Sequence, residues 1–312
     1  MSGLEQLRSE AERHLGAVSL SEPWPLAGGA SRSLLGFDVE DGCGEKQRLV
    51  LLVTKGTAPQ EWEALRAAHA TGVAVAEPLW LSEDRSGVVM RRLEGEAIAP
   101  RILREEGFAA ARGKLLAQLA AALAAIHSIP AAQVPSAPRR AGARGELDAI
   151  EAELDRLGDP HPTLELGLRW LRQRLPTGHG PALVHGDFRM GNMLVDEAGL
   201  VAVLDWELVH VGDPAEDLGW LCARTWRFGR DQLPAAGLGS REQLLATYRE
   251  AGGADVGLEE LRFWETLAAL RWGVLTIRQL HEHLSGARPS LELAAIGRRT
   301  SEAEWDLLGM ID

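Results

Sequence analysis

Residues 183–220 read LVHGDFRMGNMLVDEAGLVAVLDWELVHVGDPAEDLGW, polar side chains embedded between short apolar runs. His185-Gly186-Asp187 is followed after four residues by Asn192. Met193–Val195 reads as a short strand, residues 196–199 (DEAG) as a turn and Leu200–Leu204 as the returning strand, with Asp205 directly after it. Antiparallel pairing about a turn near residues 197–198 brings Asn192 and Asp205 side by side at the open end of this hairpin. Two hard oxygen donors meet there, a set that suits Mg²⁺ and not Zn²⁺. Asp187 lies on the loop that enters the hairpin and is left free beside that pair. Phosphoryl transfer needs this combination: a base for the attacking hydroxyl, and a metal ion to neutralise the leaving phosphates. A lone His-x-Asp is more simply a strand end with a hydrogen-bonded Asp. The chemistry is carried by Asn192, the hairpin and Asp205 falling in register with it.

Upstream, the chain reads as mixed structure. Residues 3–15 have helical spacing, Leu34–Val39 and Arg48–Thr54 read as a hairpin turning at 41–46, and residues 59–70 (PQEWEALRAAHA) as a helix between Pro59 and Gly72. Val73–Leu81 and Gly87–Leu93 read as two further strands, so residues 20–93 form a small antiparallel sheet with one inserted helix. Downstream, helices are expected over 108–127, 146–157, 163–175 and 258–284, with 131–145 (AAQVPSAPRRAGARG) a loop. The last helix is apolar around most of its circumference, which marks the buried spine of a helical lobe.

The H-x-D-x-x-x-x-N spacing followed by a metal-binding Asp resembles a kinase catalytic loop. The form HGDFRMGNML, VLDWE and GDPAEDLGW, together with residues 262–274 (RFWETLAALRWGV) and 290–308, resembles the aminoglycoside phosphotransferase-like (APH/choline kinase-type) family. The likeness is strongest to the kinase domain carried by some acyl-CoA dehydrogenase family members. It implies an α+β, protein-kinase-like two-lobe fold: a β-rich N-lobe over 1–93 and a mainly helical C-lobe over 94–312. It implies transfer of the ATP γ-phosphoryl group to a hydroxyl of a small molecule. Asp187 would be the catalytic base, His185 would brace the loop, Asn192 and Asp205 would hold Mg²⁺, and Asp217 would anchor the loop backbone. The acceptor class it suggests is a hydroxyacyl-CoA, which would want cations at the cleft mouth; Arg139, Arg140, Arg144, Arg224 and Arg227 are available. An aminoglycoside, amino alcohol or sugar is the alternative acceptor.

The nucleotide half is less marked. Gly28, Gly29 and Ser31 lie on a turn ahead of a strand, where a backbone without Cβ atoms could approach phosphates; the same pattern serves in plain hairpins. A kinase-like fold also needs a cation for the phosphates, held by a helix Glu. Glu61, or alternatively Glu63, fits the Glu. The strand position where the cation is expected holds Leu52, so Lys55, three residues on, or Arg32 would have to serve; otherwise Lys55 is a solvated loop lysine. That gap motivates a rival reading, a nucleotide-binding pseudokinase without turnover. A metal-dependent phosphoesterase is a third, but it would need a second ligand cluster.

The 312 residues carry a formal net charge of −12, with 46% hydrophobic and 25% charged residues. That balance fits a globular protein and disfavours nucleic-acid or anionic-membrane partners, which require clustered Lys and Arg. Cys43 and Cys222 have no metal-ligand spacing. The N-terminus lacks an apolar signal core, and the apolar stretch Leu115–Ile126 is short for a bilayer, so a cytoplasmic protein is expected. There is no P-loop, no GxSxG and no dinucleotide fingerprint. His127, at the end of an apolar helix, reads as a satisfied core histidine. Trp264 and Trp272 read as core, Trp220 and Trp226 as candidates to line a substrate cleft, and Asp213 and Glu216 as surface or capping residues.

Overall fold

Alternating apolar side chains in the first third of the chain build a sheet that buries both faces. The computed structural model describes residues 3–26 and 33–311. In the N-lobe, β1 (Ala17–Leu20), β2 (Trp24–Leu26), β3 (Ser33–Asp41), β4 (Lys46–Val53), β5 (Pro78–Leu81) and β6 (Gly87–Arg91) form one antiparallel sheet in the order β1-β3-β4-β6-β5, with β2 also on β3. Helix α1 (Gly3–Leu15) covers one face, placing Leu7 and Ala11 on Phe37, Val39, Leu49, Trp80 and Val89. Helix α2 (Ala58–Ala70) lies on the other side, where Ala64, Leu65 and Ala68 join Val88 and a core continuous with the C-lobe.

The C-lobe contains α3 (Ala99–Arg104), α4 (Ala109–Ser128), α5 (Gly142–Leu157), α6 (Pro162–Arg172), α7 (Ala215–Cys222), α8 (Arg241–Glu250), α9 (Leu258–Leu284), α10 (Leu291–Gly297) and α11 (Thr300–Leu308). Two strand pairs are embedded in it: β7 (Ala182–Val184) with β10 (His210–Gly212), and β8 (Met193–Val195) with β9 (Leu200–Val203). Helix α9 is the spine: α5, α6, α7, α10 and α11 all pack on it. The apolar stretch around residues 115–126 belongs to the longer α4. By length and composition its helix, extended back to Glu106, could cross a membrane. Here Leu115, Leu119, Leu123 and Ile126 are fully buried in the C-lobe core.

Two expectations are corrected. Residues 73–77 form no strand. Val73 and Val75 are buried in the core, but the backbone there serves the other lobe, with Ala74 O accepting from Val203 N at 2.8 Å. Helix α5 begins at Gly142, earlier than its composition suggests.

Helix α7 approaches α9 closely because residue 219 has no side chain. A Cβ there would lie 2.5 Å from both the backbone carbon and the Cβ of Trp264. Gly219→Ala is therefore expected to lower stability by about 1–3 kcal/mol, the usual cost of overpacking, read as a lower denaturant midpoint at unchanged m-value.

Candidate active site

Strand β7 ends at Val184, and the next three residues turn into the site. Gly186 adopts φ +82°, and a Cβ on it would lie 2.5 Å from Leu208 O, so only glycine fits this turn. His185 is fully buried. Its Nε2 donates to Leu204 O at 3.1 Å, and its Nδ1 accepts from Asp187 N at 3.2 Å. It thus ties the loop to the end of β9. Burial pushes the His185 pKa down against the pull of Asp217 and Asp187, consistent with a neutral ring that both donates and accepts.

The hairpin register agrees with expectation. Met193 faces Val203, and Leu204 N donates to Asn192 O at 2.8 Å, which leaves Asn192 and Asp205 at the open end. Asp205 adopts φ +67°, a left-handed backbone that Asp tolerates better than most residues. The Asn192 amide nitrogen donates to Asp187 O at 2.9 Å and to Asp187 Oδ2 at 2.7 Å, so its amide oxygen is the atom left for a cation. An amide oxygen with the Asp205 carboxylate is an all-oxygen donor set that could hold Mg²⁺, which completes its shell with water and phosphate oxygens.

Asp187 is held from several sides but not sealed in: its side chain is 15% exposed. Besides Asn192, Arg189 Nε donates to Oδ1 at 3.0 Å and Oδ2 at 3.2 Å, and Trp220 Nε1 donates to Oδ1 at 2.7 Å. Asp187 and Asp205 line one cleft of about 810 Å³, with Trp220, Trp226, Trp272 and Leu275 among its walls.

Asp217, on α7, anchors the loop backbone. Its Oδ2 accepts from His185 N at 2.8 Å and its Oδ1 from Gly186 N at 2.9 Å. Burial alone would raise its pKa; His127 and His185 outweigh that and hold it below the ordinary carboxylate value. His127 is more than a filler of the core: Nε2 lies 3.1 Å from Asp217 Oδ2 and Nδ1 lies 2.6 Å from Tyr248 Oη. Asp213 does cap, accepting from Ala215 N at 2.9 Å, but it is buried. Glu216 is no surface residue either. Burial would raise its pKa, yet His210 at 3.1 Å, Arg271 at 2.9 Å and Arg140 at 3.5 Å hold it low.

The nucleotide-side residues are less gathered. Gly28, Gly29, Ser31 and Arg32 lie outside the described residues. Glu61 is fully buried and accepts from Thr57 Oγ1 at 2.6 Å, whereas Glu63 holds Ser136 N at 2.8 Å. Lys55 is exposed, at a bend two residues after β4 ends at Val53 and beside Gly56 (φ +94°). Two of the arginines proposed for a cleft mouth are elsewhere. Arg227 is buried on Cys222 O and Glu265, and Arg224 pairs with Asp231 and Asp306. Arg140 does line the cleft, joined by Arg271 and Arg278, which the sequence reading did not single out.

Residues 46–264 match the family model described as the phosphotransferase enzyme family (APH). The chain belongs to that family. Among curated relatives, acyl-CoA dehydrogenase family member 11 of Gallus gallus is 26% identical over 82% of this chain and 36% of its own length. Acyl-CoA dehydrogenase family member 10 of Mus musculus is 43% identical over 20% of this chain and 6% of its own length. The chain thus spans about a third or less of these relatives. Among solved structures, a Ralstonia eutropha protein provisionally named an aminoglycoside phosphotransferase has a TM-score of 0.78 at 20% identity, covering 99% of both chains. A choline/ethanolamine kinase family protein from Mesorhizobium loti has a TM-score of 0.66 at 20% identity, covering 99% of this chain and 95% of its own. These structural likenesses establish the protein-kinase-like α+β fold of the phosphotransferase family.

Proposed function

We propose that the protein transfers the γ-phosphoryl group of ATP to a hydroxyl of a hydroxyacyl-CoA, with Asp187 as base. The observation that carries the reading is the Asp187 carboxylate opening on a cleft that Asp205 also lines, 2.7 Å from the amide of Asn192. In this reading Asn192 and Asp205 hold Mg²⁺, which when bound neutralises charge on the leaving phosphates. His185 and Asp217 fix the loop so that Asp187 orients the acceptor hydroxyl and takes its proton as the bond to phosphorus forms. Gly28, Gly29, Ser31, Glu61 and Lys55 serve the nucleotide side in this reading. Nucleotide use is supported by the GDP complex of an aminoglycoside 2'-phosphotransferase-IIIa and the ADP complex of spectinomycin phosphotransferase, both of this fold.

The acyl-CoA assignment is supported by the names of the curated relatives and by the cleft wall. Trp226, Trp272, Leu275 and Ile296 offer an apolar surface for an acyl chain, and Arg140 and Arg278 offer charge for an anionic carrier. The test is an ATP-consumption screen over hydroxyacyl-CoAs, aminoglycosides, amino alcohols and sugars, with Asp187→Asn as the blank. The expected result is turnover with a hydroxyacyl-CoA that the variant lacks. Turnover with an aminoglycoside alone would reassign the acceptor. Stabilisation by Mg-ATP without turnover on any acceptor would overturn catalysis; ligand at 100 times its Kd raises stability by about 2.7 kcal/mol.

A further inference from the structure

Helix α7 reaches the catalytic loop at two points one turn apart. Asp217 takes the backbone N–H groups of His185 and Gly186, at 2.8 and 2.9 Å. Three residues later, on the same face of the helix, Trp220 Nε1 donates to Asp187 Oδ1 at 2.7 Å. Trp220 is itself fixed. It is 3% exposed, its ring centroid lies 5.0 Å from the Arg271 guanidinium carbon, and Arg271 is held by Glu216 of the same helix at 2.9 Å. Trp226 packs against its other surroundings with ring centroids 5.5 Å apart.

Burial alone does not explain the contact. The neighbouring indoles of Trp226 and Trp272 are also buried, yet their N–H groups find no partner among the described residues. In this aromatic wall only the indole nearest the reacting carboxylate is committed, and it is committed to that carboxylate. Rotation of a carboxylate about χ2 is soft; Asn192 holds Oδ2 and Arg189 spans both oxygens, and Trp220 adds the shortest donor to Oδ1. A rigid bicyclic ring with few rotatable bonds supplies one at low entropic cost.

We propose that Trp220 is a positioning residue for Asp187: its indole N–H fixes the orientation of the carboxylate, while Asp217 fixes the backbone beneath it. The proposal rests on the phosphotransferase reading only for its kinetic arm. Loss of the N–H while the ring is kept lowers kcat through misorientation of the base, and leaves the KM for ATP and the fold as they were.

Two measurements test it. The first is kinetic, in the full-length protein with the acceptor identified by the screen. Trp220→Phe, and replacement of Trp220 by its sulfur isostere benzothienylalanine, should each lower kcat about 10- to 100-fold, the range expected for small misplacement of a reacting group. The KM for ATP and the melting temperature should stay close to wild type, and Trp220→His, which restores a ring N–H of similar reach, should recover most of the rate. Wild-type kcat in the isostere would overturn the proposal, as would a loss that follows a lowered melting temperature and is not recovered by His. The second needs no turnover. In ¹⁵N-tryptophan-labelled protein, the indole resonance that disappears in Trp220→Phe should lie downfield and shift upfield in Asp187→Ala. An unmoved resonance would overturn the contact itself, whereas a moved resonance in a protein without activity would leave the contact standing and remove the kinase reading.

Discussion

Asp187→Asn lowers the rate of phosphoryl transfer by about 10²–10⁴-fold, the range by which a positioned general base contributes, with the fold retained. The carboxylate is the group that can accept the acceptor's proton, and an amide cannot. The surroundings limit the structural damage. Trp220 Nε1 and Arg189 Nε still meet an amide oxygen at the position of Oδ1, now 2.7 and 3.0 Å from them. The cost falls on the other side, where the new amide nitrogen faces the Asn192 amide nitrogen in place of Oδ2, at 2.7 Å in the native site. Steady-state kinetics and ADP titration together check this: kcat should collapse while ADP affinity changes little. A variant retaining more than a tenth of the native rate would remove Asp187 from the base position.

Asp217→Ala is the variant expected to cost the most stability. The carboxylate has no solvent exposure and meets three donors: His185 N at 2.8 Å, Gly186 N at 2.9 Å and His127 at 3.1 Å. Truncation leaves these groups buried and unmet, a loss of about 3–5 kcal/mol when one side of a buried charged network is removed. The same residue gives a pH dependence. Its pKa is held below the ordinary value in the folded protein, while in the unfolded chain it titrates near pH ~4. The stabilisation is therefore complete above about pH 5 and is lost as pH falls through the unfolded and then the folded value. His185 adds to acid sensitivity at higher pH. Its folded pKa is depressed by burial, so the unfolded chain binds a proton first once pH drops below about 6.5, which favours unfolding. Urea midpoints between pH 7 and pH 3 should fall in two stages in the native protein, and the lower stage should flatten in Asp217→Asn. An unchanged acid slope in that variant would contradict the assignment.

Much of the site was legible because it is local in sequence. Asp187, Asn192 and Asp205 are set by one loop and one hairpin, whose turn and strand residues fix the register without help from elsewhere. The spine helix 258–284 was legible for a similar reason: 27 residues, apolar around most of the circumference, are too long for a strand. What escaped depends on distant partners. Val73–Glu77 has the composition of a strand, but its neighbour in space is the β9 backbone of the other lobe. Arg227 reads as a surface cation, yet Glu265, 38 residues later, draws it inside. Glu216 reads as a capping residue until His210 and Arg271 are seen beside it. Trp220 and Trp226 were readable as cleft-lining candidates, and both do line the cleft, but nothing in the spacing tells which way the Trp220 indole N–H points.

The β8–β9 ribbon is hydrogen-bonded to both halves of the molecule at once. Val195 exchanges both backbone bonds with Glu96, at 2.8 and 2.9 Å, and Val203 N reaches Ala74 O at 2.8 Å. At its open end Asn192 grips Asp187. A brace of this kind resists gaping: the halves cannot swing apart as rigid bodies without breaking the Val203–Ala74 main-chain bond or dragging Asn192 and Asp205 off the Asp187 loop. For the proposed reaction this implies nucleotide exchange by small loop and side-chain excursions around a stationary frame, with the spacing among Asp187, Asn192 and Asp205 preserved.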